Sequence, residues 1–147
     1  MVSVEKASVQ DACLFARLEQ VADTKHYILP YSEAEHAHNI LDPSFIYLRI
    51  LEAEKLAGFF IFVLDTDQCS VEFRRVVVSE KDKGIGKLAI AAMEYFCRTN
   101  LKRTSIWLDV FECNNRGRHV YEKLGYERYG ESEHQCGKLF LYQKRIK

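Results

Sequence analysis

The sequence has few of the features that mark linkers, membrane spans or secreted proteins. Two prolines and seven glycines in 147 residues are too few for long linkers. No apolar run approaches the ~18 residues that a membrane helix requires, and Met1–Lys6 does not resemble a secretory signal. We therefore expect residues 1–147 to form one domain of a soluble, cytoplasmic protein that makes no membrane contact.

Cysteine and histidine lack the spacings that hold a disulfide framework or a metal ion. The five cysteines are odd in number, widely separated and without a Cys-x-x-Cys pair, which is typical of free thiols in a reducing compartment. His36 and His38 are two residues apart on a predicted helix, so they do not share a face. The sequence therefore predicts no metal site.

The chain also lacks a net charge. Its 21 lysines and arginines balance 21 aspartates and glutamates, without the basic excess that is usual in a dedicated nucleic-acid binder. The charges are unevenly distributed, with 5 basic and 11 acidic residues in 1–70 and 16 basic and 10 acidic residues in 71–147. The second half therefore favours an anionic partner and the first half a cationic one, although chance asymmetry of a solvated surface is an alternative.

Hydrophobic patterning predicts an α/β protein with one mixed, mostly antiparallel sheet of about seven strands and about four helices. With 48% hydrophobic residues, a chain of this length can bury one sizeable core without disulfides or metal. Alternating and β-branched runs predict strands, while apolar residues three and four apart predict helices. Ser8 with Asp11 is a predicted cap for the first helix, and Ser32 with Glu35 has the capping-box spacing at the second, which Asp42-Pro43 is expected to end. The predicted element order is β-α-α-β-β-β-α-β-α-β-β, and the three central strands are joined by short turns and must be antiparallel. Those three strands are Phe45–Leu51, Leu56–Leu64 and Cys69–Val78.

The strongest local signal lies where the last of these strands leads into a helix. After Val76–Val78 comes a polar turn, and then Gly84 and Gly86 open an amphipathic segment. Glycine lets the backbone approach a ligand closely, and the first N–H groups of a helix attract anions, phosphate above all. The lysines around this turn add positive charge; they are Lys81, Lys83 and Lys87.

Three classes of phosphate-containing ligand fit a glycine-rich helix start. A Walker nucleotide loop is excluded because one residue separates the glycines and Leu88 follows Lys87. The dinucleotide pattern G-x-G-x-x-G/A does match Gly84–Ala89, with Asp109 or Glu112 near the expected acidic position. That loop, however, follows its strand directly within alternating βαβ units, whereas five polar residues and three antiparallel strands precede this one. Coenzyme A is the third class.

Two segments resemble signatures of the GNAT superfamily of N-acetyltransferases. Lys81–Gly86 resembles its pyrophosphate loop, Q/R-x-x-G-x-G/A, with lysine in the first position. Asn114–Tyr126 resembles N-x-x-A-x-x-x-Y followed by E-K-L-G-F/Y, with Gly117 in place of the usual alanine. The resemblance covers about residues 45–131. It implies an acetyl-CoA-dependent N-acetyltransferase whose sheet is splayed between strands 4 and 5.

The same resemblance implies which residues bind acetyl-CoA. The pyrophosphate would rest on backbone N–H groups of residues 83–88, and the pantetheine arm would pair with the exposed backbone of residues 76–78. Asn114 would contact the pantetheine, although a plain helix cap is an alternative for it. The predicted cofactor-binding residues are Val76, Val77, Val78, Lys81, Lys83, Gly84, Ile85, Gly86, Lys87, Leu88, Asn114 and Tyr121.

Amide formation needs a base, an oxyanion donor and an acid. An amine of pKa ~10 arrives protonated and must lose a proton before it attacks. The resemblance implies that Glu72 is the base, because it lies where several members of the family carry a catalytic glutamate. On a regular strand Glu72 would share a face with Val76, at roughly 13 Å, and pairing with Arg74 is its alternative role. The resemblance implies that the Val76 N–H stabilises the oxyanion and that Tyr121 protonates the departing thiolate. His119 or water could serve as the base, and Tyr121 could instead be a core aromatic.

The acceptor is expected to be a small-molecule or peptide amine, with no nucleic acid involved. In the family, the first two helices and the last hairpin wall the acceptor site, and here these helices carry acidic and aromatic residues that suit a cation. A non-catalytic acyl-CoA-binding domain is the alternative function, and the protein could be a monomer or a homodimer. The acceptor-site candidates are Glu19, Asp23, His26, Tyr27, Tyr31, Glu33 and Glu35.

Overall fold

The computed structural model describes residues 2–20, 30–79 and 84–146. Within these residues the elements follow the predicted order, and the mixed α/β class is confirmed. A short 3₁₀ turn, Val9–Asp11, precedes the first helix. The strands are β1 Val2–Lys6, β2 Phe45–Glu52, β3 Lys55–Leu64, β4 Ser70–Val78, β5 Ser105–Phe111, β6 Glu127–His134 and β7 Gly137–Arg145. The helices are α1 Ala12–Glu19, α2 Glu33–Leu41, α3 Ile85–Thr99 and α4 Asn115–Lys123.

The seven strands form one sheet in the order β1-β2-β3-β4-β5-β7-β6. Every neighbouring pair is antiparallel except β4 and β5. Helix α3 connects these two strands, and a crossover of this length is what parallel neighbours require. The parallel junction therefore lies in the middle of the sheet, between the strand that leads into the glycine-rich turn and the strand that follows α3.

An apolar layer covers each face of the sheet. Helices α3 and α4 pack on one face, which we call the α3 face, against the larger cluster that includes Val71, Phe73 and Leu108. Helices α1 and α2 pack on the other face, the α1 face, over a smaller cluster centred on Phe15 and Phe59. The face on which a side chain lies determines which helices and which bound groups it can contact.

The ends of the first two helices follow the sequence prediction at α2 and depart from it at α1. Ser32 and Glu35 form the predicted capping box, with the Glu35 N–H donating to Ser32 Oγ at 3.1 Å. Helix α2 ends at Asp42, before proline, as predicted. Ser8 was expected to cap α1, but its N–H donates to the Asp11 carboxylate across the 3₁₀ turn. The extra turn makes Ser8 the start of that turn rather than of the α-helix.

Gly58 brings β3 unusually close to β4. A Cβ atom at this position would lie 2.0 Å from the carbonyl oxygen of Val77, which is a backbone atom that cannot rotate away. Gly58 pairs with Val78 in the ladder, so the close approach falls on the end of β4 that follows the sheet junction. The position of this strand end therefore depends on the absence of a side chain in its neighbour.

Gly58→Ala is expected to lower the free energy of unfolding by about 2–3 kcal/mol, because inserting a methyl group forces two paired strands apart. Urea denaturation of the variant and the parent chain measures the difference. Gly130→Ala is the matched control, since a Cβ there meets only the Leu141 side chain at an ordinary 3.5 Å. Equal losses in the two variants would contradict the proposed backbone clash.

Candidate active site

The parallel junction between β4 and β5 opens into a fork. The two strands pair only at Ser70–Glu72 and Ser105–Trp107, whereas β4 continues to Val78 and stays paired with β3 to its end. The other backbone edge of residues 76–78 makes no ladder pairs within the described residues. This is the splay that the resemblance implied between strands 4 and 5.

The glycine-rich turn opens helix α3 at the mouth of this fork. Gly84 is the N-cap residue and has a φ of 74°, a left-handed conformation that suits glycine. Apart from chain neighbours and the helix's own backbone, no atom of the described residues lies within 4 Å of a Cβ built on Gly84 or Gly86, which leaves both backbones accessible to a ligand in this part of the chain. The Leu88 N–H donates to the Gly84 carbonyl at 3.4 Å, and the three residues between them supply the first-turn amides. Lys81 and Lys83 lie outside the described residues.

Asn114 caps the helix that follows β5. Its Oδ1 accepts a hydrogen bond from the Gly117 N–H at 2.9 Å, which leaves the Nδ2 group to donate elsewhere. A Cβ on Gly117 would lie 2.7 Å from that Nδ2 atom. Glycine, where the family signature has alanine, therefore makes room for this cap. The capping role and the predicted pantetheine contact use different atoms of the same side chain.

Tyr121 lies on α4 and packs on the α3 face beside the fork. Its ring meets those of Phe73 and Tyr126 edge-on, each with centroids 5.9 Å apart. The hydroxyl has no hydrogen-bond partner among the described residues. Burial, together with the negative charge of Asp109, raises the pKa of Tyr121 to about 12. The hydroxyl therefore keeps its proton at neutral pH and is free to donate it.

Glu72 occupies the last paired position of β4, opposite Trp107, at the vertex of the fork. Arg74 holds its carboxylate in two hydrogen bonds, from Nη2 at 2.9 Å and from Nε at 3.1 Å. Pairing with Arg74 was the alternative to the predicted catalytic role. The two roles compete for the same carboxylate oxygens.

A β-bulge overturns the expectation that Glu72 and Val76 share a face. The register between β3 and β4 shifts at Ile61/Phe62, so that one extra residue, Arg74, lies between the partners Phe73 and Arg75. Val76 therefore joins the cluster on the α3 face. Glu72, which alternates with buried residues of that cluster, faces the α1 side. A single extra residue reverses every side chain beyond it.

Asp109 is the site residue that the sequence reasoning did not select. It lies on β5 two residues beyond the last pair with β4, and its neighbours Leu108 and Val110 both belong to the α3-face cluster. Alternation therefore directs Asp109 to the same side as Glu72. Its carboxylate forms no hydrogen bond or ion pair with another residue among those that the structure describes. Desolvation by neighbouring atoms and the negative charge of Glu72 raise the pKa of Asp109 above its ordinary value, although the residue is exposed to solvent.

Acidic side chains of helices α1 and α2 were expected to line the acceptor site, but the structure places Glu19 and Glu35 in other contacts. Glu19 is fully buried, and its carboxylate accepts hydrogen bonds from His36 and Arg75. Burial raises the pKa of Glu19, but the His36 hydrogen bond and the Arg75 charge outweigh burial and leave it below the ordinary value. Glu35 is occupied in its capping box, and only Glu33 is exposed without such a partner. Asp23, His26 and Tyr27 lie outside the described residues.

The remaining polar side chains of the described residues form no cluster that could hold a metal ion. No group of three or more histidine, cysteine, aspartate or glutamate side chains among the described residues is arranged to hold a metal ion. All five cysteines are free, and His119 is exposed on α4. In the part of the chain that the structure describes, no helix is long and apolar enough to span a membrane. The fork between β4 and β5 is therefore where the candidate chemistry lies.

Comparison with known families agrees with this geometry. Residues 14–126 match the model of the acetyltransferase (GNAT) family, so the chain belongs to that family. This confirms the predicted class, an acetyl-CoA-dependent N-acetyltransferase, with acetyl-CoA as its co-substrate. No curated protein gives a match to the chain.

Solved structures share the fold at low sequence identity. An aminoglycoside acetyltransferase, AAC(6')-Ib in complex with coenzyme A, is 15% identical with a TM-score of 0.84, over 99% of this chain and 95% of that one. The ribosomal-protein-S18-alanine N-acetyltransferase from Escherichia coli is 17% identical with a TM-score of 0.79, over 99% and 94%. The spermidine N-acetyltransferase SpeG from Vibrio cholerae is 18% identical with a TM-score of 0.82, also over 99% and 94%.

Proposed function

We propose that this enzyme transfers the acetyl group of acetyl-CoA to a primary amine by direct attack within a ternary complex. The fork between β4 and β5 is the observation that supports the proposal most strongly. The pantetheine arm carries amide groups like those of a peptide, and residues 76–78 offer a strand edge without a ladder partner. A ligand that adds to this edge gains backbone hydrogen bonds.

The glycine-rich turn supplies the second half of the cofactor site. The first-turn amides of Ile85, Gly86 and Lys87 point out of the N-terminus of a 15-residue helix, where the helix dipole favours negative charge. No side chain of the described residues occupies the position of a Cβ on Gly84 or Gly86. We assign the pyrophosphate to this turn, with Lys81 and Lys83 as the further cationic residues of the predicted set.

The reaction forms one carbon–nitrogen bond and breaks one carbon–sulfur bond. The amine nitrogen attacks the thioester carbonyl carbon, and the Val76 N–H donates to the oxyanion that forms. When the tetrahedral intermediate collapses, the carbon–sulfur bond breaks and the departing thiolate takes the proton of the Tyr121 hydroxyl. The proton that the base removed from the amine nitrogen then returns to the Tyr121 phenolate through water, so both groups are restored. A tyrosine whose pKa is raised to about 12 still carries that proton at neutral pH. The products are the acetylated amine and free coenzyme A.

Two carboxylates at the fork are candidates for the base that deprotonates the amine. Glu72, the residue predicted from the sequence, is held by two hydrogen bonds from Arg74. Asp109 has no such partner within the described residues, and its charge acts on Tyr121. We therefore assign the proton transfer to Asp109, directly or through one water, with Glu72 as the alternative.

On the α1 face, where we expect the acceptor to bind, the side chains beside the fork suit a cationic amine. Asp109 lies on this face together with Glu72, whose charge is paired with Arg74. Trp107, the ladder partner of Glu72, shares their side, and its Nε1–H donates to Asp65 at 2.8 Å. Carboxylates beside an indole ring attract ammonium groups. The similar structures include enzymes named for an aminoglycoside, for spermidine and for the alanine of a ribosomal protein, all of which carry amines.

Thermal melting and thiol release together test this proposal. Acetyl-CoA at about 100 times its Kd is expected to stabilise the chain by about 2.7 kcal/mol and to raise the melting midpoint by several degrees. NADH, which has a pyrophosphate but no pantetheine, is the matched control and is expected to leave the midpoint unchanged. A panel of spermidine, an aminoglycoside and a peptide with a free N-terminus is then screened for amine-dependent release of coenzyme A.

The two measurements separate the possible outcomes. A midpoint raised by acetyl-CoA without release on any amine would support a non-catalytic acyl-CoA-binding domain. A midpoint raised by NADH and not by acetyl-CoA would contradict the assignment of the glycine-rich turn. Release that depends on one class of amine would define the acceptor.

A further inference from the structure

A buried polar network connects helix α1 to strand β4, and the proposed chemistry does not use it. Within the described residues, Glu19 and His36 are the two polar side chains that are fully buried. The Glu19 carboxylate accepts from His36 Nε2 at 2.7 Å, from the Tyr31 N–H at 3.0 Å and from Arg75 Nη1 at 2.6 Å. A buried carboxylate is costly unless it is fully paired. This one is paired from three sides.

The β-bulge is what brings Arg75 to Glu19. Without the extra residue at Arg74, Arg75 would share the face of Val71 and Phe73 and would enter the apolar cluster under α3. With it, Arg75 points to the α1 face, where Glu19 is its ion-pair partner within the described residues. Its guanidinium also lies 4.4 Å from the centre of the Tyr31 ring.

The same bulge lies between the part of β4 that pairs with β5 and the part that does not. Pairing of β4 with β5 ends at Glu72, and the bulge follows at once. Arg75 is bonded directly to Val76, whose N–H is the proposed oxyanion donor. The ion pair to Glu19 therefore acts on the strand at the point where it leaves β5.

We propose that Glu19 is a positioning residue: through Arg75 it holds β4 toward the α1 face beyond the bulge, which keeps the fork open and fixes the Val76 N–H. This inference rests on the proposed function for its catalytic consequence. Its structural consequence, a rigid β4 from residue 75 onward, does not depend on the chemistry. Glu19 itself touches neither substrate in this assignment.

The far end of the network provides a matched control. His36 Nδ1 lies 2.8 Å from the Tyr47 hydroxyl, which also accepts a hydrogen bond from Asn39 Nδ2 at 3.4 Å. Tyr47→Phe removes this hydroxyl from the buried network but leaves the pair between Glu19 and Arg75 intact. It therefore perturbs packing and polarity on the same face without releasing β4.

Hydrogen exchange and steady-state kinetics test the proposal on Glu19→Gln, Arg75→Met and Tyr47→Phe, at a temperature at which circular dichroism shows each variant folded. We expect amide exchange in the peptide that covers residues 73–79 to accelerate at least tenfold in Arg75→Met and Glu19→Gln, and less than threefold in Tyr47→Phe. At saturating acetyl-CoA and amine, kcat is expected to fall about tenfold in the first two variants only.

Each result has a distinct meaning. Exchange in residues 73–79 that accelerates equally in Arg75→Met and Tyr47→Phe would overturn the proposal, as would an unchanged kcat in a folded Arg75→Met variant. If Glu19→Gln does not fold, Arg75→Met alone decides. A parent enzyme that releases no coenzyme A with any amine defeats the proposed function, while the exchange experiment still decides the role of Glu19.

Discussion

Replacing Tyr121 by phenylalanine is expected to lower kcat about a hundredfold and to leave the affinity for acetyl-CoA within about threefold. The substitution removes one hydroxyl that has no hydrogen-bond partner among the described residues, so no buried group is left unpaired. The ring contacts with Phe73 and Tyr126 are retained. What is lost is the proton that the departing thiolate would receive.

Steady-state thiol release measures kcat, and calorimetric titration measures the affinity for acetyl-CoA. Tyr95→Phe is the control, because Tyr95 is 60% exposed on the outer surface of α3, where its ring lies under Arg98. An unchanged kcat in Tyr121→Phe would mean that the thiolate leaves without this acid, and the residue would then be a core aromatic. A fall in kcat that is fully accounted for by a smaller folded fraction of the variant would lead to the same conclusion.

Asp109→Asn is expected to lower kcat/KM by about a hundredfold and to abolish its dependence on pH on the acidic side. A base acts only when it is deprotonated, so kcat/KM of the parent enzyme falls as the pH is lowered through the pKa of that base. Desolvation by neighbouring atoms and the charge of Glu72 raise the pKa of Asp109, an exposed residue, and this moves the fall to a higher pH than for an ordinary aspartate. An asparagine side chain does not bind a proton in this range, so the variant loses the limb that we assign to Asp109.

Glu72→Gln is the matched comparison, since it removes a carboxylate from the same side of the fork. We expect kcat/KM to change less than tenfold and the acidic limb to persist, because Arg74 already occupies both oxygens of Glu72. The loss of the acidic limb in Glu72→Gln, with Asp109→Asn unaffected, would restore the base predicted from the sequence. Persistence of the limb in both variants would assign it to another group, with His119 the next to substitute.

Local features of the chain could be predicted because short-range physics decides them. The capping box at Ser32, the end of α2 before Pro43 and the helix start at Gly84 each depend on residues within four positions of one another. The two family signatures are similarly local. They predicted a splay between strands 4 and 5, and the pairing of those strands stops at Glu72.

The arrangement of charged groups could not be predicted in the same way. Glu19 and Arg75 are separated by 56 positions, and Glu19 and His36 by 17. From the sequence, Glu19 was expected to line the acceptor site, because a charge that is buried is recognisable only once its partners are in place. Asp109 was noticed only as a possible ribose ligand, since nothing local relates it to Glu72 on the neighbouring strand.

The sequence by itself determined the order of the elements, the helix ends, the glycine-rich turn and the family. Periodicity, caps and signatures operate over a few residues, so they survive in a one-dimensional pattern. Only the tertiary structure decided the side of the sheet for Glu72, Arg75 and Val76. A bulge of one residue reverses that side, and just beyond the bulge Arg75 forms an ion pair with Glu19, on a helix that lies far away in the chain.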